Sequence, residues 1–233
     1  MIGAMKAVIF DMDGVLINSE PLWRRAMIAG FGRFGMPATE DECRRTMGMR
    51  FGEVLVQWLT RYGKPLSLAG DVERSVMDDL LRLVREEGRP LPGTMECLGF
   101  CRDSNIRCGL ATSSSSELMN AVLAKLGIEQ YFDAALSAEY LQYGKPHPEV
   151  FLKCARVLGC EPQQCVVIED SLNGVVAAKA ASMQVIAVPD DEHLKADERR
   201  VKQFTLADYH AADLLEALNI LKTNYSFGGE QNG

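Results

Sequence analysis

Five short, largely apolar runs punctuate the chain without polar alternation: Lys6–Phe10 (KAVIF), Ile106–Ala111 (IRCGLA), Ala134–Leu136, Cys165–Ile168 (CVVI) and Gln184–Val188 (QVIAV). Runs of that kind suit strands covered on both faces, as in a parallel sheet. Helical periodicity fills most of the gaps. Ser116–Leu126 places Leu118, Val122 and Leu126 on one face, Pro148–Leu158 carries Pro at its start and Gly159 beyond its end, and Leu172–Ala181 is rich in Ala. Strand-helix alternation predicts an α/β fold with a doubly wound, mostly parallel, Rossmann-like sheet.

One interval breaks the alternation. Between Ser19 and Gly88 no strand pattern is found, and amphipathic helices are predicted at about Leu22–Phe34, Glu40–Met47, Phe51–Tyr62 and Val72–Glu87. Gly35-Met36-Pro37 and Gly63-Lys64-Pro65 separate them, and Gly88-Arg89-Pro90-Leu91-Pro92-Gly93 forms a stiff return linker. The expected organisation is a core of residues 1–18 and 89–222, a helical insertion of residues 19–88, and a polar, Gly-rich tail, 223–233, expected to be disordered.

Composition narrows the function classes. The 233 residues are 47% hydrophobic and 24% charged with a net charge of -7, as in an ordinary soluble protein without a basic surface for nucleic acid. Neither a Walker-type glycine run nor a basic, aromatic patch appears, so nucleic-acid and nucleotide binding are not expected. The N-terminal segment is too short and unpatterned for a leader or a membrane span. The seven cysteines are odd in number and lack zinc spacing, so reduced thiols and a cytoplasmic location are expected.

The candidate chemistry lies at the ends of the apolar runs. Asp11 and Asp13 follow the first, Thr112 and Ser113 the second, and Glu169 and Asp170 the fourth. In open parallel sheets such ends converge on the ligand crevice. Four carboxylates there repel one another unless something compensates, and hard oxygen ligands suit Mg²⁺. Asp11 is placed to attack phosphorus, Asp13 to protonate the leaving alcohol and then deprotonate water. Thr112 and Ser113 would hold phosphoryl oxygens, Lys145 would neutralise developing charge, and Glu169 and Asp170 would hold or orient the metal. Each piece has a plainer reading: a solvated Asp-x-Asp turn, a serine-rich helix cap at Thr112–Glu117, a Gly-Lys-Pro loop, and a cap of the following helix by Glu169-Asp170.

Together these residues resemble the haloacid dehalogenase-like hydrolase superfamily. DMDGV matches its first motif, Thr112 the second, Lys145 the third and Glu169-Asp170 the fourth, and the likeness runs from Lys6 to about Leu221. The resemblance implies an aspartyl-phosphate on Asp11, acid/base work by Asp13, and Mg²⁺ held by Asp11, the Asp13 backbone carbonyl and Asp170. The second Asp is kept by phosphatases and phosphomutases and missing from dehalogenases. The helical insertion resembles the cap of the beta-phosphoglucomutase-like and phosphoglycolate-phosphatase-like branch, in which monomers are the base expectation. Beta-phosphoglucomutases carry a His where this chain has Trp23, and Ser19-Glu20-Pro21-Leu22-Trp23 resembles phosphatases of 2-deoxyglucose 6-phosphate and hexitol phosphates. The expected activity is an Mg²⁺-dependent phosphatase acting on small sugar or polyol phosphomonoesters; a phosphomutase is the alternative.

For substrate recognition the candidates are Arg50, in Gly48-Met49-Arg50 between two cap helices, and Glu20 and Trp23 near the hinge. Arg50 would bind hydroxyls or a second phosphate, or else be a solvated helix-start arginine. Glu20 would receive a sugar hydroxyl. Trp23 would stack on a sugar face, or else pack the cap core. Ser19 is expected to cap its helix, His147 to face the cleft, and His193 and His210 to occupy surface or helical positions.

Overall fold

A computed structural model describes residues 4–46, 49–189 and 204–227; His193 and Gly48 lie outside them. The apolar runs become β1 (Ala7–Phe10), β2 (Arg107–Thr112), β3 (Ala134–Ser137), β4 (Cys165–Glu169) and β5 (Gln184–Ala187). A two-residue strand, β6 (Tyr209–His210), completes a sheet of order β3-β2-β1-β4-β5-β6 with every neighbour parallel. Ala7 pairs with both Arg107 and Cys165, so β1 is central, and the strand order reverses on either side of it. That is the doubly wound arrangement the alternation predicts, with its crevice beyond the carboxyl end of β1.

Both sheet faces are covered. Val8, Phe10, Val166 and Ile168 point into one buried cluster; Ala7, Ile9, Cys165 and Val167 point into the other. This explains why the strands read as continuous apolar runs. The core helices are α5 (Thr94–Asp103), α6 (Ser116–Leu126), α7 (Glu149–Val157), α8 (Leu172–Ala180) and α9 (Leu214–Asn224). Ser115, Ser171 and Asp213 cap α6, α8 and α9 by accepting backbone N–H groups of Leu118, Gly174 and Glu216.

The helices between β1 and α5 are α1 (Glu20–Arg33), α2 (Glu40–Arg44), α3 (Phe51–Arg61) and α4 (Ala69–Glu87). They form a cap whose aromatic centre stacks Phe31 on Trp58 at 4.8 Å. The two chain crossings into the cap lie side by side, with Asn18 N–H donating to Arg89 O (3.2 Å) and Leu91 N–H to Leu16 O (3.0 Å). A thin two-stranded connection of this kind concentrates any cap movement in a few residues.

His210 sits exposed on β6, the surface alternative of the sequence reading. Two details differ from that reading. Ser19 precedes α1 but gives it no side-chain cap, because its hydroxyl is engaged elsewhere. The tail expected to be disordered from Thr223 is ordered at its start: α9 runs to Asn224, Met5 N–H donates to Ser226 O (2.9 Å), and the Phe227 ring meets Phe100 edge-on at 6.2 Å. Aromatic burial against the core outweighs the local Gly-rich composition there. Among the described residues, no helix is long and apolar enough to cross a membrane.

All seven cysteines are free and buried. Burial pushes the Cys43 thiol up to about 11 and the Cys97, Cys154 and Cys165 thiols up to about 12, which suppresses the reactive thiolate. Native protein at pH 8 is expected to release less than about one equivalent of chromophore from Ellman's reagent in the first minutes. Denatured protein should release all seven; rapid native titration of several thiols would contradict this packing.

Candidate active site

The site grows out of the strand ends. β1 stops at Phe10 and delivers Asp11; β4 ends in Glu169 and delivers Asp170; β2 ends in Thr112. The loop after β3 brings Lys145 across from the far side of the sheet. Its ammonium donates to Asp11 Oδ1 at 2.7 Å, Glu169 Oε1 at 2.7 Å and the Ala111 carbonyl at 2.9 Å. It also lies 4.7 Å from the Phe151 ring centroid. Lys145 is 2% exposed and Glu169 fully buried, so this is a desolvated charge cluster and not a surface pair.

Its electrostatics are unbalanced. Asp11, Glu169 and Asp170 offer oxygens within 4.8 Å of one another, against the single Lys145 ammonium. Burial pushes the Asp11 carboxyl up to about 7; Lys145 pulls the other way, while Glu169 and Asp13 add to the rise. Burial, then Glu169 and Asp11, hold Asp170 well above the carboxylate range. Burial opposes the Lys145 charge, but Asp11 and Glu169 outweigh it and hold the ammonium above the ordinary lysine value. Such a cluster takes up either protons or a cation.

The residues present fit a hard divalent cation such as Mg²⁺. Gly14, at φ +74°, has no side chain where a Cβ would overlap Asp170 Oδ2, so the space beside that carboxylate stays open. The four acids of the sequence reading are not equivalent. Glu169 already accepts Lys145 through Oε1, and Ser171 N–H (2.9 Å) and Oγ–H (3.0 Å) through Oε2. Ser171, not the Glu-Asp pair, caps α8. The Asp13 carboxylate stands outside the three-acid group: it accepts the Ser19 hydroxyl, the Trp23 indole N–H (3.2 Å) and the Ser114 hydroxyl (2.6 Å).

A cavity of about 100 Å³ opens above these groups, between core and cap. The structure brings Asp11, Asp13, Glu20, Trp23, Thr112, Ser113, Lys145 and Asp170 together in its lining. Thr112 is buried and its hydroxyl oxygen accepts Ser114 N–H at 3.1 Å. Trp23 both packs on Phe51 (5.4 Å between rings) and holds Asp13.

Arg50 is placed differently. It does not line the cavity; it donates to Glu53 Oε1 (2.6 Å) and, across to the core, to the Leu141 carbonyl (2.9 Å). His147 is exposed and packs against Tyr143. The arginine that does line the cavity is Arg24, which the sequence reading passed over, as it did the Asp13-binding hydroxyl of Ser114. Signals existed for both: Arg24 stands four residues after Glu20 on one helix, and Ser114 two residues beyond Thr112.

The chain matches known proteins over most of its length. The family model described as a haloacid dehalogenase-like hydrolase matches residues 5–182. The chain is 39% identical over 211 residues to "Hexitol phosphatase B" of Escherichia coli (strain K12), covering 90% of this chain and 93% of that protein. It is 35% identical over 190 residues to the "Phosphorylated carbohydrates phosphatase" of Thermotoga maritima, covering 78% and 84%. Among solved structures, the beta-phosphoglucomutase of Clostridium difficile superposes with a TM-score of 0.77 at 26% identity, covering 90% and 92%.

Removing Lys145 would leave two buried carboxylates facing each other without their counter-charge. Lys145→Met is expected to cost about 3–5 kcal/mol of unfolding free energy in metal-free buffer. Lys153→Met, which breaks an exposed i,i+4 pair with Glu149, should cost under about 0.5 kcal/mol. Urea denaturation of both variants checks this, and equal small losses would show that the cluster is not held by Lys145.

Proposed function

The chain belongs to the haloacid dehalogenase-like hydrolases, close to the branch of hexitol phosphatases, beta-phosphoglucomutases and phosphoglycolate phosphatases, and from that premise we propose that it is an Mg²⁺-dependent phosphatase of small sugar or polyol phosphomonoesters. The observation that carries the reading is the Lys145 bridge between Asp11 and Glu169 beneath a cap-covered cavity. It presents one buried carboxylate to a substrate phosphate beside a cation-binding set. The phosphatase relatives support the substrate class.

In this reading the Asp11 carboxylate attacks phosphorus, and the bond from phosphorus to the alcohol oxygen breaks. Asp13, protonated, gives its proton to the departing oxygen. It then takes a proton from the water that attacks the aspartyl-phosphate, releasing inorganic phosphate and restoring Asp11. Ser19, Trp23 and Ser114 hold Asp13 in place for both transfers. Thr112 and Ser113 receive phosphoryl oxygens, and Lys145 offsets charge on Asp11 and the transferring group. Asp11, Asp170 and the Asp13 backbone would hold Mg²⁺, with Glu169 orienting Lys145. When bound, that cation supplies charge neutralisation between two anions. The cap excludes bulk water from the cavity. Seven buried, unpaired thiols support a cytoplasmic setting.

A mutase remains the second reading because a beta-phosphoglucomutase shares the whole fold; product analysis separates the two. Inorganic phosphate is expected from hexitol or sugar phosphates with Mg²⁺, and none with EDTA. Asp11→Asn should lower turnover at least about a thousandfold and Asp13→Asn about 10²–10⁴-fold. An isomeric sugar phosphate in place of free phosphate would favour the mutase. Undiminished release by Asp11→Asn would remove it as nucleophile.

A further inference from the structure

Two charged residues of the lining lie outside the phosphoryl-transfer apparatus. Glu20 and Arg24 occupy successive turns of one face of α1, and both line the cavity with Asp11 and Asp13. Arg24 Nη1 stands 3.6 Å from Glu20 Oε2, and the two side chains are only 13% and 9% exposed. Glu20 adds to the field at Asp170, and the Arg24 charge acts on the Cys43 thiol. Among the described lining residues the cations are Lys145 and Arg24, and Lys145 is held by Asp11 and Glu169.

Resting on the phosphatase reading, we propose that Glu20 and Arg24 form a specificity pair that selects phosphomonoesters with a neutral, hydroxyl-bearing distal end and rejects those with an acidic one. A hydroxyl donates and accepts at once, so it can give its proton to Glu20 while taking an N–H from Arg24. A carboxylate or second phosphate can only accept. It gains Arg24 but meets the Glu20 charge in a poorly hydrated cavity, where like-charge repulsion is strong. The neighbouring wall of Trp23, Met27, Phe51 and Val54 is apolar and suits the C–H faces of an alditol or sugar. Sites that pair with a substrate hydroxyl discriminate well against analogues that cannot reproduce the bond.

The test compares sorbitol 6-phosphate with 6-phosphogluconate, which share chain length and phosphate position and differ at C1, a CH₂OH against a carboxylate. The wild-type enzyme is expected to favour sorbitol 6-phosphate at least about tenfold in kcat/KM. Glu20→Gln should reduce that ratio at least about fivefold, through a gain on 6-phosphogluconate. Arg24→Gln should raise KM for sorbitol 6-phosphate without reducing the ratio. Arg24→Lys, which keeps the charge without the planar fork, should fall between. Arg25→Ala, on an exposed pair with Glu87, is the control expected to match wild type. A wild-type preference for 6-phosphogluconate overturns the proposal, as does a Glu20→Gln ratio within twofold of wild type with its melting temperature retained. Absence of phosphate release from every phosphomonoester would overturn the phosphatase reading itself, and this inference with it.

Discussion

The Lys145 ammonium is the contact around which the site is assembled. It reaches from the loop after β3 across β2 to the ends of β1 and β4, and joins Asp11 and Glu169 at 2.7 Å each. Without it, three segments remote in sequence would bring buried like charges together with nothing to offset them. With it, Asp11 stands desolvated yet supported, and the surplus of acids over the one ammonium of the cluster is what a divalent cation or a proton would balance. Gly174 completes the arrangement, since any side chain there would overlap the Glu169 carboxylate.

A second network ties the cap to the chemistry. Asp13 accepts hydrogen bonds from Ser19 and Trp23 at the start of α1 and from Ser114 after β2. The proposed proton carrier is therefore gripped by both parts of the molecule. Ser19 gives up helix capping to serve it, a local cost of about 1 kcal/mol that makes sense only because the carboxylate is there. Arg50 adds a cap-to-core hydrogen bond at the Leu141 carbonyl, and Gly144 lets its side chain lie against the loop that carries Lys145.

Much of the fold was legible because its signals are local. Buried parallel strands must be apolar on both sides, so β1, β2, β4 and β5 stand out as runs, and the cap as the interval without them. β6 did not, since two residues carry no period. α5 was not singled out because cysteines share its buried stripe: Cys97, Leu98 and Cys101. The start of the tail misled for the opposite reason, its Gly-rich composition hiding the aromatic contacts of Tyr225 and Phe227.

The sequence by itself determined the doubly wound sheet, the placement of acids, hydroxyls and a lysine at its strand ends, and the resemblance to the haloacid dehalogenase-like hydrolases. Those properties follow from residues adjacent in the chain. Only the tertiary structure decided the pairings: that Glu169 serves Lys145, that Ser19 and Ser114 serve Asp13, and that Arg24, not Arg50, lines the cavity. Lys145 and Asp11 are 134 residues apart, and Arg50 and Leu141 are 91 apart. Contacts at that separation depend on how the crossovers wind and how the cap docks, which no local pattern of side chains encodes.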